Sequence, residues 1–413
     1  MLNMKKSIFY LVILSFFSSC SESETPSPNT PNPPTQVIVT PPAPRIDSKN
    51  YLQTSYELQK SDVLVDLLAL RARNGINSGW NILAVAFLDI NGDGNDDIFY
   101  NSSFGTTERT DGQIFIFKNG DYVLDNTFFT TPPSLIHPRK AIVGDYNNDK
   151  MPDIFIAAHG DDRPPFAGEY TKLLLSNPNK KYDVVKFTER SDFYHGACSG
   201  DIDKDGDLDI FVLGRLDSYF LINDGKGNFS YSLTQIDKST LTEQYTCELI
   251  DIDKDGFLDL IMGGHEFMNG NTTRIYWGNS SFKFTASLMS TIPSIENWGV
   301  ITDLDIYDLD DDRINEVLIT RTGGRPFDFT NYFYSGWQIQ ILKLNNRTLT
   351  NATSTFIEKN IYTQSNPNNQ EWIPWVRFGD YDKNGKMDFY SVKGSNLPLV
   401  RWELQNKKLI RIQ

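Results

Sequence analysis

Short apolar runs, separated by clusters of Gly, Asn and Asp, recur along the chain from about residue 80 to its end. The runs are rich in β-branched and aromatic residues, as in Ile114–Phe117 and Asp153–Ala157, which is typical of β-strands. Two neighbouring units each accommodate four strands, at residues 196–202, 208–213, 219–223 and 229–236 and at residues 245–252, 258–262, 273–277 and 282–289. The pattern predicts an all-β repeat without long amphipathic helices.

An acidic loop recurs six times between the first two strands of these units. Oxygen-bearing side chains stand at positions one, three, five and nine, so that alternate side chains point inward and a late carboxylate closes a cage around a hard cation. We number the loops 1 to 6; their cage residues are Asp89, Asn91, Asp93 and Asp97; Asp145, Asn147, Asp149 and Asp153; Asp201, Asp203, Asp205 and Asp209; Asp251, Asp253, Asp255 and Asp259; Asp308, Asp310, Asp312 and Glu316; and Asp380, Asp382, Asn384 and Asp388. The loops start 56, 56, 50, 57 and 72 residues apart, which is the length of a four-stranded propeller blade.

At these residues the chain resembles the FG-GAP/VCBS repeat family, the calcium-bearing blades of integrin-α-like propellers. Phe378-Gly-Asp-Tyr-Asp382 and Val143-Gly-Asp-Tyr-Asn147 match the motif, and the resemblance extends over residues 80–413. It implies a β-propeller that holds up to six calcium ions, one in the loop joining the first two strands of each blade. Six motifs predict six four-stranded blades, and seven is the alternative because many members of the family have seven.

Two of the loops depart from the pattern at position six, where a glycine usually supplies a backbone turn with positive φ. Lys150 stands there in loop 2 and Arg313 in loop 5, so metal binding at these two loops is left open. Charge supports the metal hypothesis, because six calcium ions would bring the formal net charge from −14 to −2. The acidity is therefore concentrated in the loops, and it argues against nucleic acid as a partner.

The N-terminus has the pattern of an exported lipoprotein. Lys5 and Lys6 precede an apolar run that is too short to span a bilayer, and Ser18-Ser19-Cys20 resembles a bacterial lipobox. This predicts a signal peptide over residues 1–19 and lipid on Cys20, with an ordinary cleaved signal as the alternative. Ser21–Glu24 resembles surface-export signals of lipoproteins, which places the chain in the cell envelope, surface-exposed on the outer membrane and attached only by its lipid. Residues 20–45 form a Pro-rich, extended tether.

A helical segment is predicted between the tether and the propeller, within residues 46–79. Ser61 and Asp62 suit a helix start, leucines supply an apolar face, and Asn74-Gly75 suits the end. This helix would cover part of the propeller or replace a seventh blade. Cys198 and Cys247 lie on first strands of neighbouring blades; we expect two buried thiols because such strands tend to be far apart, with a disulfide as the alternative in an oxidising compartment.

The face opposite the acidic loops is the predicted functional surface, because loops on a rigid scaffold commonly carry binding residues. Its candidate ligand-binding residues are His159, Arg163, His195, Arg215, His265, Arg321 and Trp372. Aromatic rings there would stack on sugars and arginines would pair with acidic groups, which predicts a glycan or a surface protein as the ligand.

Two alternatives remain for this protein. A lyase of acidic polysaccharides would use His, Tyr and Arg on the same face. An assembly or adhesion scaffold would recruit a partner at blade edges, for which the stretch 322–371, rich in Asn, Tyr and Phe, is the candidate. No catalytic residue is assigned, because the sequence has no phosphate-binding Gly-rich loop, no Gly-x-Ser-x-Gly elbow and no His-Glu-x-x-His helix.

Overall fold

The computed structural model describes most of the chain beyond the predicted tether. The described residues are 54–58, 61, 65–76, 81–103, 108–161, 163–187, 189–215, 217–266, 271–323, 334–363, 371–380, 382–391 and 400–412. All of them belong to one compact unit, residues 37–413. The predicted signal peptide, Cys20 and the Pro-rich tether lie outside the described residues. Over the described ranges, no helix is both long and apolar enough to cross a membrane.

The strands form six antiparallel sheets of four or five strands, the blades, and one separate two-stranded ribbon. The strand order begins with β1 (Asn81–Leu88), β2 (Asp97–Ser103), β3 (Arg109–Asp111), β4 (Gln113–Lys118), β5 (Asp121–Leu124) and β6 (Ser134–Ile136). Blade 1 comprises β1, β2, β4 and β5, whereas β3 pairs with β6 in the ribbon. Blade 2 comprises β7 (Pro138–Gly144), β8 (Asp153–Ala158), β9 (Lys172–Ser176) and β10 (Tyr182–Lys186). Blade 3 comprises β11 (Tyr194–Gly200), β12 (Asp209–Gly214), β13 (Tyr219–Asn223) and β14 (Phe229–Ser232).

The remaining blades follow the same order. Blade 4 comprises β15 (Gln244–Ile250), β16 (Asp259–Gly264), β17 (Arg274–Tyr276) and β18 (Met289–Thr291). Blade 5 comprises β19 (Val300–Tyr307), β20 (Glu316–Thr322), β21 (Trp337–Asn345) and β22 (Thr348–Asn351), and β23 (Ile361–Tyr362) pairs with β21. Blade 6 comprises β24 (Val376–Gly379), β25 (Asp388–Ser391), β26 (Arg401–Gln405) and β27 (Lys408–Arg411). The predicted all-β, six-bladed propeller is confirmed, and the alternative of seven blades is not found in the described part of the chain.

The second strands explain why apolar runs dominate the sequence pattern. Every residue of β8, β12, β16 and β20 is buried. Each of these strands lies inside a blade whose two faces are covered by neighbouring blades, so its side chains are mostly apolar on both faces rather than alternating. The acidic loops join the first and second strands in all six blades, as predicted.

The predicted strand boundaries are correct for the middle strands and wrong at some ends. The first strand of blade 3 ends at Gly200, so that Ile202 belongs to loop 3. The fourth strand of blade 4 is Met289–Thr291 rather than residues 282–289. Asn279 accepts the Ser281 N–H and the chain turns at Phe282, whose φ is 55°. The apolar run that suggested a strand is therefore mostly a turn.

The predicted helix exists but begins later than expected. Helix α2 (Leu67–Arg73) starts at Asp66, whose side chain accepts the Ala69 N–H, and ends at Asn74 as predicted. Its leucines pack with Phe87 of blade 1 and with Trp375 at the start of blade 6, while the backbone carbonyl of Ser61 accepts a hydrogen bond from Tyr390 of blade 6. The helix therefore fills the space between the first and last blades.

A second, unpredicted helical turn closes the central channel beside the acidic loops. In α1 (Ser55–Leu58), the Ser55 hydroxyl accepts the Ser199 N–H at the end of β11. The Tyr56 hydroxyl exchanges hydrogen bonds with both backbone groups of Ile306. A single-turn helix α3 (Thr353–Phe356) and three 3-10 turns, Asn126–Phe128, Lys238–Thr240 and Ala286–Leu288, complete the described elements.

Candidate functional site

The acidic loops are held by hydrogen bonds from backbone N–H groups to their own carboxylates. In loop 3 the position-one residue Asp201 accepts the N–H groups of Asp205 and Gly206, at 3.1 and 2.9 Å. The position-nine residue Asp209 accepts the N–H groups of Ile202 and Asn223, at 3.2 and 3.0 Å. Loops 1, 2 and 4 repeat this arrangement at the equivalent positions. The backbone therefore presents the same cage in successive blades.

The two loops without a glycine at position six fold in the same way. Lys150 has φ of 71° and Arg313 has φ of 70°, in the range where Gly94 and Gly256 lie at 86° and 89°. Their N–H groups donate to Asp145 and Asp308, as Gly206 does to Asp201. The left-handed conformation costs about 1–2 kcal/mol without glycine, but the loop geometry is kept. The backbone gives no reason to set loops 2 and 5 apart.

The side chains of four loops converge as a hard-cation site requires. Three carboxylates lie with ligand oxygens within 4.8 Å of one another in loops 3, 4, 5 and 6: Asp201, Asp203 and Asp209; Asp251, Asp253 and Asp255; Asp308, Asp310 and Glu316; and Asp380, Asp382 and Asp388. Burial raises the pKa of Asp209 and of Asp259 to about 8, and that of Asp97 to about 7. The buried Oδ1 of Asp203 accepts no hydrogen bond. In loop 3, where no lysine or arginine of the described chain pairs with the cage, the carboxylates therefore fit a divalent cation that would compensate their charge.

On the opposite face, the first strands of all six blades open into a small central cavity of about 80 Å³ that communicates with solvent. Its wall includes Arg139, His195, Tyr245, Trp372 and Arg377. The Trp372 ring lies 4.8 Å from that of Tyr334, which also lines the cavity. The mouth is thus a mixed surface of aromatic rings and cations.

All four histidines of the chain belong to one row of rings on this face. The ring centroids of His137 and His159 lie 4.9 Å apart, those of His159 and His195 lie 4.5 Å apart, and Tyr245 continues the row at 4.4 Å from His195 and 5.8 Å from His265. Burial, with the positive charge of its neighbours His159 and Arg139, holds the pKa of His195 well below its usual range. Burial lowers the pKa of His265 to about 4. These two imidazoles are therefore neutral at neutral pH.

A layer of ion pairs lies beneath the cavity mouth. Lys140 Nζ is 2.6 Å from Glu248 Oε1, and Arg377 Nη1 is 3.1 Å from Asp303 Oδ2. These residues come from the first strands of blades 2, 4, 5 and 6. The layer and the α1 turn below it close the channel on the side of the acidic loops.

One family model matches part of this propeller. The model for the FG-GAP-like repeat matches residues 201–262, which contain loops 3 and 4. This chain is a six-bladed β-propeller that carries an FG-GAP-like repeat. The search of curated proteins gives no match to it.

Solved structures that resemble this FG-GAP propeller include a protein from Lactobacillus plantarum, with a TM-score of 0.42 and 9% identity over 76% of this chain and 82% of that chain. A lectin of Agrocybe aegerita, described as recognising non-reducing terminal N-acetylglucosamine, has a TM-score of 0.37 and 11% identity over 67% of each chain. The Dos1 propeller has a TM-score of 0.37 and 10% identity over 76% of each chain.

Five of the seven predicted ligand-binding residues are at least partly exposed on this face of the propeller. His159, His195 and Trp372 lie at or beside the cavity, and Arg215 joins them through Phe193, whose ring is 5.2 Å from its guanidinium carbon and 4.3 Å from His159. Arg163 is exposed and pairs with Asp161 at 3.1 Å. Part of the stretch 322–371 suggested for a scaffold, residues 324–333 and 364–370, lies outside the described residues.

Two of the predicted ligand-binding residues are buried. Arg321 was expected in an exposed loop, and this is wrong: it lies in β20, is completely buried, and donates to both carboxylate oxygens of Glu266, at 2.6 and 3.2 Å. Its other hydrogen bonds go to Gln340, Trp298 and Pro293. His265 is also buried and bridges to Val300 of the next blade. Arg321 therefore joins blades 4 and 5 rather than facing a ligand.

Sequence reasoning missed the charged residues of the cavity wall and floor. Lys140, Glu248, Asp303 and Arg377 each stand inside the first strand of a blade. A buried strand seldom carries an unpaired charge, so the charged residues in these four first strands are the signal that would have placed them in a shared channel.

Proposed function

We propose that this FG-GAP propeller is a calcium-stabilised binding module of the cell envelope, anchored through a lipid on Cys20, that binds a glycan in the central cavity. The observation that carries the proposal is the convergence of aromatic rings and arginines from different blades around one open cavity. Trp372, Tyr334 and Tyr245 offer faces on which a sugar ring can stack. Arg139 and Arg377 offer charge-assisted hydrogen bonds to acidic groups of the ligand. A surface protein is the alternative class of ligand.

The binding test uses the full chain with Cys20→Ser, which removes the proposed lipid, on arrays of neutral and acidic glycans. We expect Trp372→Ala and Arg139→Gln to weaken binding of the glycan found there by about 1–3 kcal/mol each. Arg163→Gln is the matched control, because Arg163 is exposed outside the cavity wall. Binding that survives both cavity variants but is lost in a folded Asp203→Asn variant would place the ligand on the side of the acidic loops instead.

Calcium in this proposal is a folding ligand. Several cages place two or more carboxylates together with one buried at position nine, so removing the cation leaves like charges uncompensated. We expect a chelator to lower the melting temperature by many degrees and calcium to restore it. Identical melting curves in chelator and in excess calcium would exclude this role.

Envelope anchoring is tested by fractionation. Lipid on Cys20 should hold the wild-type chain in membrane fractions, whereas Cys20→Ser should be released, because an acidic domain has little affinity for an anionic surface. A Cys20→Ser chain that still sediments with membranes as the wild type does would contradict the lipid anchor.

A second candidate function, elimination in an acidic polysaccharide, is favoured by one observation. The neutral imidazole of His195 lies against the ring of Tyr245 in the same wall as Arg139, and proton transfer with carboxylate neutralisation needs such groups. A lyase would generate unsaturated products that absorb in the near ultraviolet, and Tyr245→Phe would abolish their formation. Glycan binding without these products supports the binding module.

A further inference from the structure

Loop 5 already holds a cation that belongs to the chain. Lys343 Nζ lies 2.5 Å from Asp310 Oδ2 and 2.8 Å from Asp312 Oδ2. It is also 3.4 Å from Glu316 Oε1. These carboxylates stand at positions three, five and nine of the cage, which are the positions expected to bind the metal. One ammonium group therefore occupies the centre that calcium would need.

The strand register shows why this happens in blade 5. Lys343 on β21 stands directly opposite Glu316, the position-nine residue, and opposite side chains on an antiparallel pair lie about 4.5–5.5 Å apart at Cβ. In blades 1 to 4, the pairing of the second with the third strand starts one residue after position nine. Extended by that one residue, the pairing places Ile116, Leu175, Ile222 and Trp277 opposite position nine. An apolar side chain stands at this position in four blades and a lysine in the fifth.

Loops 4 and 6 are also paired with arginines of the chain. Arg347, in the turn between β21 and β22, places Nε 2.5 Å from Asp253 Oδ2 and Nη2 2.7 Å from Asp255 Oδ2. Arg401 of β26 places Nε 2.9 Å from Asp388 Oδ1 and bonds Asp382 through Nη2. Each arginine thus makes charge-assisted hydrogen bonds to two cage carboxylates.

Loops 1 to 3 differ from the other three. Over the described residues, no lysine or arginine forms an ion pair with a cage carboxylate of these loops. The ammonium of Lys150 in loop 2 and that of Lys204 in loop 3 are absent from the cages, and Lys204 lies over the Phe257 ring at 3.8 Å. In these loops no lysine or arginine of the described chain competes with a metal ion for the carboxylate oxygens.

We propose that the propeller divides its acidic loops into two kinds: loops 1 to 3 bind a divalent cation, and loops 4 to 6 are neutralised by Arg347, Lys343 and Arg401. The proposal rests on the calcium binding proposed above. Calcium needs six to eight oxygen ligands, so it cannot share a cage with an ammonium or guanidinium bonded to the same oxygens. The metal-dependent blades are then the first three, and the last three are closed by the chain itself.

The decisive measurement is the number of calcium ions bound per chain, counted by native mass spectrometry on the full chain with Cys20→Ser. We expect three. Lys343→Met, which keeps the length of the side chain but removes its charge, should raise the count to four, whereas Lys343→Arg should leave it at three. Any wild-type count above three, or a Lys343→Met count equal to that of the wild type, overturns the division.

Carboxylate variants test the same division where Lys343→Met fails to fold. Asp203→Asn in loop 3 should remove one ion, whereas Asp310→Asn in loop 5 should leave the count unchanged. Loss of an ion in Asp310→Asn, or none in Asp203→Asn, contradicts the division. A chain that binds no calcium at all would overturn the proposed calcium role and this inference together, whereas six ions would overturn only this inference.

Discussion

The sulfur atoms of Cys198 and Cys247 lie 2.7 Å apart on the first strands of blades 3 and 4. Both side chains are free thiols and buried in this structure, and burial raises the pKa of Cys198 well above its usual value. The distance contradicts our reason for expecting separate thiols. Gly196 accounts for it, since a Cβ there would lie 2.8 Å from the Tyr245 carbonyl oxygen, so only glycine lets β11 approach β15 this closely.

We therefore predict that the pair forms a disulfide when the protein matures in an oxidising compartment. The two S–H bonds are lost and one S–S bond forms. The two electrons reduce the disulfide of a thiol–disulfide oxidoreductase to a dithiol. The protein's intact mass should then be two hydrogens below that of the reduced chain, and denatured protein should resist alkylation until it is reduced. In the chain-entropy model, a bridge between residues 49 positions apart stabilises the fold by about 4 kcal/mol.

The control is Cys198→Ser, which leaves Cys247 as a thiol that alkylates readily after denaturation. Reductant should lower the melting temperature of the wild type but not that of Cys198→Ser. Full alkylation of both wild-type cysteines without reductant, in protein taken from an oxidising compartment, would show that the pair stays reduced.

Arg321→Met should destabilise the propeller by about 3–5 kcal/mol, because it leaves Glu266 buried without its cation. Urea unfolding monitored by tryptophan fluorescence measures the loss. Arg215→Met is the matched control, an arginine on the same face that is exposed, and we expect a change within about 0.5 kcal/mol. The double variant Arg321→Met with Glu266→Gln should recover part of the loss. Equal effects of the two single variants would show that the buried pair contributes nothing to stability.

The comparison of Arg215 with Arg321 shows which part of the candidate site could not be predicted from the sequence. Arg215 directly follows the second strand of blade 3 and Arg321 lies near the end of the second strand of blade 5, so the two look alike in the repeat. The acidic loops were predictable because their hydrogen bonds are local, with Asp201 reaching residues four and five positions away. Arg321 depends on Glu266, which is 55 positions away, and no local pattern reveals such a partner.

The side chains that pair with the metal-binding loops could not be predicted from the sequence either. Sequence reasoning questioned loops 2 and 5 because Lys150 and Arg313 replace a glycine, yet the backbone adopts positive φ at both positions. The feature that separates loop 5 is Lys343, which reaches the loop only through the pairing of β20 with β21. Strand register was not fixed by the repeat, so this cation could not be placed from the sequence alone.

Acid should destabilise the propeller through His265. Its pKa is about 4 in the folded chain and about 6.5 when unfolded, so between these values the unfolded chain binds more protons. The stabilising contribution of neutral His265 is therefore complete above about pH 6.5 and is lost as pH falls towards 4. Between pH 7.5 and 5, we expect the wild type to lose about 2 kcal/mol relative to His265→Gln. Because the two chains share all other titratable groups, the contributions of those groups cancel in this difference. Parallel curves of unfolding free energy against pH would contradict the role of His265.

Tyr56→Phe tests whether the α1 turn is part of the folded propeller. The hydroxyl donates to the Ile306 carbonyl at 3.0 Å and accepts the Ile306 N–H at 2.9 Å, so its removal leaves two backbone groups of β19 without these partners. We expect a loss of about 1–3 kcal/mol in unfolding free energy and faster hydrogen exchange at the Ile306 amide. Tyr362→Phe is the control, because Tyr362 is 37% exposed and lies on the edge strand β23. If both variants unfold at the wild-type urea concentration and the Ile306 amide exchanges no faster, the α1 turn does not contribute to the stability of the propeller.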